Sequence, residues 1–415
     1  MQLKKISIYT SIILFVSFIS LLLIAIGVKY QESLNNWNDR VIKGEVTQKY
    51  ANLYLNNYFP KVETWNLSEI LDDQILTKNQ YGKEVFLGGL ITGAAVENNK
   101  IFLGFNSGTL IVLSKKGELI SKISIRELLK DFALIQSNGG VRSILWIDDG
   151  LVFVYYTAKK PDEDTFTIRA ALINTQDLKL IDDIELGKFM KNEHFALGGG
   201  ALYLPQTNSI LLAVGAASAP DNLIDNSKSQ DDFSLFGKVI KIPLAKDRLS
   251  IVKPSIFTKG HRNPQGMNAI NNKLFLVEHG PKGGDEINVI LENGNYGWNE
   301  FSYGTKYGIP DKSYNNYSKQ FVEPIFYFTP SIGISDIEKC PNVLNDPGYK
   351  DCIILSSMRD GSFYILKPHK TNDSIQSLER VEVGNRIRKV RTSEKSIFLF
   401  TDNQSITKIS YHKLK

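Results

Sequence analysis

The chain has 415 residues, of which 42% are hydrophobic and 11% aromatic, so it can bury one large core or two smaller ones. Its formal net charge is only +5, from 49 basic and 44 acidic residues. Because the basic residues are scattered and form no Lys/Arg block, the sequence gives no reason to expect a nucleic-acid partner.

The N-terminal segment predicts a membrane anchor. Lys4 and Lys5 precede residues 6–28, a run of 23 residues without a charge. As a helix this run would be roughly 35 Å long, enough to cross a hydrocarbon core of ~30 Å. The two lysines favour a cytoplasmic N-terminus, which places the rest of the chain on the periplasmic or extracytoplasmic side. The alternative is a cleaved signal peptide, although the apolar region of such a peptide is usually about 7–15 residues.

Three segments follow one another along the chain. Residues 1–30 are the predicted transmembrane anchor, and residues 31–83, rich in Asn, Lys and Glu, are a predicted stalk or linker with helical spacing in its first half. Residues 84–415 contain short apolar runs bounded by Gly, Asp and Asn, and each run has the length of a strand. The runs cover residues 101–105, 109–113, 144–147, 151–156, 166–173, 210–214, 239–242, 274–277, 287–291, 353–356, 363–366, 397–400 and 406–409.

This succession of short strands predicts the fold class. Many short strands with glycine-rich turns indicate a sandwich, a barrel or a propeller. The segment 84–415 is too long for one simple sandwich, which favours a propeller. Six blades would need roughly 50 residues each, although no clean repeat is visible. We therefore predict an all-β, six-bladed β-propeller, in which 126–133 is the main candidate for a helix.

The chain has two cysteines, Cys340 and Cys352. A disulfide between them would close a loop of 13 residues. Such a bond is plausible in an exported chain and would stabilise the fold by roughly 3 kcal/mol. The alternative is two unpaired thiols. Their spacing lacks the Cys/His clusters of a zinc site.

One histidine is a candidate general base. His194 lies just before a run of three glycines, 198–200, which leads into an apolar strand. A histidine beside such a turn can take a proton from a substrate. A lone histidine more often has a structural role, so the sequence pattern alone leaves both interpretations open.

A second polar loop covers residues 278–286, which read Glu-His-Gly-Pro-Lys-Gly-Gly-Asp-Glu. Hard cations such as calcium take carboxylates and backbone carbonyls, and irregular Gly-Pro backbone can offer free carbonyls. The spacing is not that of an EF-hand loop. The alternative is a tight turn with solvated acids.

Two arginines near the C-terminus form a possible clamp. Arg386 and Arg388 are separated by one residue, so on a strand their side chains share a face. Two guanidinium groups on one face suit a polycarboxylate or a phosphate. The alternative is a solvated edge strand.

Three motifs in this order carry a family resemblance. Residues 260–266 read Gly-His-Arg-Asn-Pro-Gln-Gly, residues 278–288 read Glu-His-Gly-Pro-Lys-Gly-Gly-Asp-Glu-Ile-Asn, and residues 295–298 read Asn-Tyr-Gly-Trp. Segments 235–239 and 386–391 support them. From about residue 139 to its C-terminus the chain resembles the PQQ-dependent aldose sugar dehydrogenases, also called the glucose/sorbosone dehydrogenase family.

The resemblance implies a six-bladed propeller with the quinone PQQ on its top face. Members of the family oxidise the anomeric hydroxyl of an aldose to a lactone. A histidine takes the hydroxyl proton while hydride passes to the quinone, and a calcium ion polarises the quinone carbonyl. The implied partners are a small sugar and an unidentified electron acceptor, and the N-terminal segment adds the membrane. Tyr296, Trp298 or Tyr303 would offer the sugar a stacking face.

The resemblance also assigns residues by position. His194 would be the general base, and Arg262 and Asn263 would face the cofactor. The main-chain carbonyls of Gly280 and Pro281 would bind the calcium ion.

Four further residues would contact the cofactor. Arg386 and Arg388 would pair with its carboxylates. Arg359 takes the place of a lysine of the family and keeps its charge but not its shape. Asn138 takes the place of a glutamine and is one methylene shorter.

Some positions depart from the family pattern. Residues 195–197 resemble an insertion after the histidine, and Ala201 stands where the family has an arginine. Ala216 stands where the family has an acid that orients the histidine, and without it the imidazole loses control of its tautomer and ring position. The alternative function is therefore a catalytically inactive propeller of the same family that binds a ligand or a protein.

Overall fold

The computed structural model describes residues 58–68, 70–71, 75–78, 84–87, 89–135, 139–148, 150–190, 193, 195–218, 227–306, 313–315, 318–344, 351–369 and 374–413. One compact unit comprises Lys61–Tyr411; the other comprises Met1–Pro60 with His412–Lys415 and is described only at 58–60 and 412–413. The predicted membrane span, 6–28, lies outside the described residues. Among the residues that are described, no helix is long and apolar enough to cross a membrane.

Nearly all regular structure in the described chain is β-strand. Short 3-10 helices occur at Arg126–Leu128, Pro205–Thr207, Ser227–Ser229 and Asn342–Leu344. The strands are β1 (Tyr58–Asn66), β2 (Ile75–Lys78), β3 (Glu84–Leu87), β4 (Ile91–Glu97), β5 (Lys100–Phe105), β6 (Thr109–Ser114), β7 (Leu119–Ser124), β8 (Val141–Trp146), β9 (Leu151–Ala158), β10 (Thr165–Asn174), β11 (Lys179–Met190), β12 (Gly198–Leu204), β13 (Ser209–Val214), β14 (Lys238–Pro243), β15 (Ser255–Lys259), β16 (Pro264–Ile270), β17 (Lys273–Glu278), β18 (Asp285–Val289), β19 (Phe301–Thr305), β20 (Ser313–Asn315), β21 (Phe326–Phe328), β22 (Ile334–Lys339), β23 (Ile353–Ser357), β24 (Ser362–Pro368), β25 (Ile375–Glu382), β26 (Ile387–Ser393), β27 (Ser396–Thr401) and β28 (Ser405–Lys413).

These strands form six four-stranded sheets, which are the blades of a propeller. From the inner to the outer strand the blades are β4–β5–β6–β7, β8–β9–β10–β11, β12–β13–β14–β15, β16–β17–β18–β21, β22–β23–β24–β25 and β26–β27–β28–β1. Each inner strand contacts the inner strands of the two neighbouring blades, so the six inner strands surround a common axis. Two hairpins, β2–β3 and β19–β20, lie outside the blades. The predicted all-β, six-bladed propeller is confirmed.

The last blade takes its outer strand from the N-terminal side of the chain. Strand β1 pairs with β28, and side chains of the two strands also meet: Thr64 Oγ1 lies 3.4 Å from Thr407 Oγ1, and Lys408 Nζ lies 3.4 Å from Glu63 Oε2. The last blade therefore combines strands from the two ends of the described chain, which ties the ring of blades closed. Strand β1 falls inside the predicted stalk, 31–83, and the rest of that domain division stays a prediction.

The core lies between the blades. Every residue of β9 is buried, because neighbouring blades cover both faces of its sheet. Phe153 and Tyr155 of β9 pack with Leu212 and Ile240 of the third blade in one apolar cluster. The hydroxyl of Tyr155 donates to the carbonyl of Leu197, 2.8 Å away in the third blade, which fixes the relative position of the two blades.

The predicted helix at 126–133 is wrong. Only Arg126–Leu128 is helical, as one 3-10 turn. Asp131 has a positive φ of 52°, which ends the turn. Phe132 then forms a bridge to Ala158, and Ala133 N donates to Thr157 O at 3.0 Å. The segment therefore runs along β9 as an extended connection.

The two cysteines form a disulfide, which is one of the two alternatives that the sequence left open. Cys340 follows β22 and Cys352 precedes β23, with their Cα atoms 5.5 Å apart. Both side chains are buried. The bond therefore ties β22 to β23, the first two strands of the fifth blade, at the end of the blade where β22 stops and β23 begins.

Removing the disulfide should destabilise the propeller. We expect a Cys340→Ser, Cys352→Ser double variant to lose roughly 3 kcal/mol of unfolding free energy, since the loop is no longer closed in the denatured state. Urea unfolding of the oxidised wild type and of the variant measures the loss. Equal midpoints, with an unchanged slope, would contradict this expectation.

Candidate active site on the upper face

The inner strands position the site through one repeated irregularity. All six run in the same direction, and we call the face of the disc where they begin the upper face. Near its start, each inner strand has one more residue than its partner strand, which is a β-bulge. A bulge leaves a residue unpaired and can redirect its side chain.

The bulge residues of the six blades meet at the axis. Together they line a cavity of about 20 Å³, and we call them the axial ring: Thr92, Arg142, Gly199, Gln265, Ser335 and Arg388. Gly199 has a φ of 151°, and a Cβ there would lie 2.7 Å from the carbonyl oxygen of Arg142, so this position requires glycine. The ring places two guanidinium groups at the centre of the upper face.

Arg386 and Arg388 converge on one carboxylate. Arg388 makes a bidentate contact with Asp402, with Nη2 3.0 Å from Oδ2, and Arg386 Nε lies 3.0 Å from the same oxygen. Burial opposes ionisation of Asp402, but the two guanidinium groups lower its pKa below the ordinary value. Asp402 was not recognised in the sequence. It holds the pair in place and neutralises one of its two charges.

The loop before β16 is joined to the loop after β17 by Arg262. Its Nη1 donates to the carbonyl of Gly280 at 2.8 Å and to that of His279 at 3.3 Å. The guanidinium lies over the ring of Trp298, 5.3 Å from its centre. The structure therefore brings Arg262 and Gly280, two of the predicted site residues, into direct contact.

Asn263 connects the same loops to the third blade. Its Oδ1 accepts from Gly198 N at 3.3 Å, and its Nδ2 lies 3.3 Å from His279 Nδ1. The other ring nitrogen of His279, Nε2, is buried. Burial lowers the pKa of His279, and the charges of Arg262 and Arg388 act in the same direction, although Asp285 and a hydrogen bond with the backbone of Ile334 oppose them. His279 is therefore a partly buried imidazole held by the loops around it.

Asp285 fixes the Gly-Pro loop. Its carboxylate accepts from Gly280 N at 3.1 Å and from the hydroxyl of Ser331 at 2.8 Å. It also accepts from three successive backbone N–H groups, 332 to 334, at 2.7 to 3.1 Å. Asp285 is fully buried and Glu278 nearly so. Asp285 and Glu278 are therefore shielded from solvent, and Asp285 joins the fourth blade to the start of the fifth.

The sequence also assigned Arg359, Asn138 and His194 to the site, and the structure describes only Arg359 among these three. Arg359 is exposed in the turn between β23 and β24 on the upper face, and its Nη1 donates to Ser331 O at 3.3 Å. Asn138 and His194 lie outside the described residues. The neighbours of position 194 are described: Glu193 pairs with Lys228 at 2.8 Å, and Phe195 forms a bridge to Ser218 on the upper-face side of β12.

Tyr296 and Trp298 are buried, with 6% and 7% of their surface exposed. Tyr296 stacks on the fully buried His261 at 4.7 Å, and His261 Nδ1 lies 2.9 Å from Glu278 Oε1. Tyr296 therefore supports the loop and does not offer a face to a sugar. Tyr303 is partly exposed and stacks on Tyr327, with ring centres 3.9 Å apart.

The structure also shows the surroundings of Ala216, which stands where the family pattern has an acid. Ala216 is fully buried and packs against Trp298, and its N–H donates to Arg262 O at 2.8 Å. The position therefore holds the Arg262 loop through its backbone, and its side chain supplies an apolar contact where the family pattern has an acid.

Below the axial ring lies a channel of about 280 Å³ between the inner strands. Arg391 bridges two acids there: its Nη1 lies 2.6 Å from Asp336 Oδ2 and 3.9 Å from Glu338 Oε2. Lys389 Nζ lies 3.8 Å from Asp336 and lines both the ring cavity and the channel. Burial raises the pKa of Glu338 to about 7, although Arg391 opposes it.

These features define a class of protein, a six-bladed propeller with a basic site built from loops on its upper face. The family profile described as Glucose / Sorbosone dehydrogenase matches residues 92–409. The chain belongs to this family.

Relatives agree with this assignment. An aldose sugar dehydrogenase of Escherichia coli is 27% identical over 252 residues, which are 56% of this chain and 64% of that protein. Quinoprotein glucose dehydrogenase B of Acinetobacter calcoaceticus is 42% identical over 97 residues, 21% of this chain and 20% of its own length. The chain thus spans less than two thirds of the length of the curated relatives it matches. The crystal structure of the apo-form of the soluble Escherichia coli aldose sugar dehydrogenase shares the fold, with a TM-score of 0.61, 21% identity, and coverage of 85% of this chain and 99% of that one.

Replacing the buried carboxylate of Asp285 should loosen the Gly-Pro loop. We expect Asp285→Asn to lose about 3 kcal/mol of unfolding free energy, because an amide places an N–H group against donors that a carboxylate satisfied. Urea unfolding measures the loss, and Asp162→Asn in an exposed turn is the matched control. A loss no larger than that of the control would show that the five contacts do not hold the loop.

The raised pKa of Glu338 predicts a pH dependence of stability. Its ordinary pKa is 4.5, so the folded chain binds the proton more tightly between about pH 4.5 and 7. The stability this gives is fully present below pH 4.5 and is lost as the pH rises through 7. Relative to wild type, Glu338→Gln should therefore become more stable as the pH rises across this window.

Thermal unfolding at several pH values tests this, with Glu127→Gln on the surface as the control. A stability difference between wild type and Glu338→Gln that stays constant from pH 4.5 to 7 would refute it.

Proposed function

We propose that this chain is a PQQ- and calcium-dependent dehydrogenase that oxidises an aldose or related sugar at the anomeric hydroxyl to a lactone. Family membership supports the general activity. The observation that carries the proposal is the convergence of the basic residues and the Gly-Pro loop on one face. Had the arginine pair lain on the opposite face from the 280–281 turn, these segments could not share a ligand.

The basic residues of the upper face suit a cofactor with several carboxylates. Arg262, Arg359, Arg386 and Arg388 lie on this face, and Asp402 is already shared by two of them. The charges and donors therefore fit PQQ, with Arg386 and Arg388 paired to its carboxylates and Asn138, Arg262 and Asn263 facing it.

The Gly-Pro loop suits calcium by the chemistry of its donors. Carbonyl oxygens are ordinary calcium ligands, and Asp285 holds the loop that presents them. The Gly280 carbonyl accepts one hydrogen bond from Arg262 and keeps a second lone pair. The carbonyls of Gly280 and Pro281 are the proposed ligands.

In the proposed reaction, the residues of the chain and the bound groups have different roles. When bound, PQQ and calcium supply the hydride acceptor and the Lewis acid that polarises it. A ring nitrogen of His194 takes the proton of the sugar hydroxyl as general base. Arg262, held by Trp298 and the Gly280 carbonyl, keeps the two central loops in register around the reacting atoms.

The location proposed with this function is the outer side of a membrane, with residues 1–30 as an anchor, 31–83 as a stalk and 84–415 as the catalytic propeller. The disulfide between Cys340 and Cys352 supports an oxidising compartment such as the periplasm. The electron acceptor is a separate partner that the proposal leaves open.

A second function is favoured by the environment of Ala216. With Ala216 packed on Trp298, this position gives His194 no carboxylate to orient its ring. A general base contributes about 10²–10⁴-fold, so a poorly oriented imidazole could leave a propeller that binds its ligand without turnover. The second candidate is therefore a binding module of the same family.

Loading the full-length chain with PQQ and calcium distinguishes the two functions. We expect dye-linked oxidation of at least one aldose, abolished when EDTA removes calcium. His194→Ala should lower kcat by about 10²–10⁴-fold, because the proton loses its acceptor, while the Kd for PQQ changes little.

His369→Ala, in the exposed segment after β24 on the opposite face, is the control and should keep full activity. Tight PQQ binding without turnover on a broad sugar panel would favour the binding module. Failure to bind PQQ at all would reject the dehydrogenase.

A further inference from the structure

Arg142 is a residue of the axial ring that neither the motifs nor the proposed mechanism uses. It is the bulge residue of β8, between Val141 and Ser143 in the register with β9. Its side chain lines the ring cavity together with Arg388 and Lys389. Three basic residues from two blades therefore face one small space at the mouth of the axial channel.

The contacts of Arg142 leave its charge uncompensated. Its Nη2 donates to the carbonyl of Gly198 at 2.8 Å. Its Nε is shielded from solvent and has no hydrogen-bond partner in the described chain. Among the described residues no carboxylate lies within ion-pair distance of it, whereas Arg388 has Asp402 and Lys389 has Asp336.

Arg142 is half-buried, and a partly desolvated charge without a partner opposes folding, which is why such groups are usually paired. Burial, the largest effect, and the like charge of Arg388 together lower the pKa of Arg142 to about 10, although Tyr155 acts in the opposite direction. An anion in the cavity would remove the repulsion between the two guanidinium groups and satisfy the open Nε.

We propose that Arg142, with Arg388 and Lys389, binds one oxyanionic group, a carboxylate or a phosphate, at the mouth of the axial channel. Guanidinium groups bind such oxyanions through directed N–H donors, and the ammonium of Lys389 adds a point charge. The missing side chain of Gly199 makes room for the backbone carbonyl of Arg142, which would lie 2.7 Å from a Cβ at that position.

The oxyanion has two possible sources. One is a carboxylate of the cofactor, and this version rests on the proposed function because it needs PQQ on the upper face. The other is a free oxyanion of the same chemistry, which needs no cofactor.

The experiment uses the full-length chain in a mild detergent, as wild type, Arg142→Leu and Arg142→Lys. Arg248→Leu removes one positive charge from a partly exposed turn at the opposite end of the disc, where Arg248 pairs with Asp148, and is the matched control. Calorimetric titration with PQQ and calcium gives the Kd. In a second arm, without PQQ, thermal unfolding in inorganic phosphate is compared with unfolding in chloride at equal ionic strength.

If the cofactor is the source, Arg142→Leu should weaken PQQ binding at least tenfold, Arg142→Lys should lose less, and Arg248→Leu should match wild type. If a free oxyanion is the source, PQQ binding stays unchanged, but phosphate raises the Tm of wild type and not that of Arg142→Leu. In both cases the Tm of Arg142→Leu without anions should equal or exceed that of wild type, because an unpaired, half-buried charge has been removed.

A purely structural arginine would behave differently. Its removal would lower the Tm without anions and leave the responses to PQQ and phosphate as in Arg248→Leu, and this result would overturn the proposal. A wild type that fails to bind PQQ but responds to phosphate through Arg142 would reject the proposed function and keep the oxyanion site. A wild type with no response to either probe would reject both.

Discussion

The β-bulge at the start of each inner strand is the constraint on which the upper face depends. A regular strand would continue the alternation of its side chains between the two faces of a blade. The extra residue interrupts this alternation and leaves one side chain per blade free to line the axis, as Arg142 and Arg388 do. Six blades repeat the same irregularity, so a scaffold that is otherwise uniform acquires a ring of different chemical groups at its centre.

Around the axial ring, ion pairs with acidic residues determine which basic groups can still bind a ligand. Asp402 holds Arg386 and Arg388 together, and Asp336 takes Lys389 and Arg391. Asp402 is shared by two cations, which leaves one positive charge of that pair uncompensated at the upper face. Asp285 has a comparable role for the backbone. Its carboxylate accepts hydrogen bonds from N–H groups of two blades and so orders the Gly-Pro loop. The site is thus rigid where it holds its loops and basic where a ligand would bind.

Much of the fold and part of the site could be predicted from local patterns. Short apolar runs with turn residues at their ends predicted strands, and their number predicted a propeller, because a strand must bury its faces against neighbours. The predicted helix at 126–133 failed because a contact with β9, distant in sequence, overrode its local pattern. The repeat was invisible for a similar reason: the blades share the position of a bulge, while the residues there range from Gly199 to Arg388.

By itself, the sequence determined the fold class and the family, because these follow from periodic burial and from motifs contiguous along the chain. It left the pairing of the two cysteines open. Only the tertiary structure decided which charges meet. The pairing of Arg388 with Asp402, the five contacts of Asp285 and the unpaired position of Arg142 join residues from different strands and blades. Such contacts depend on strand register and on how neighbouring blades pack, and neither is written in any short stretch of residues.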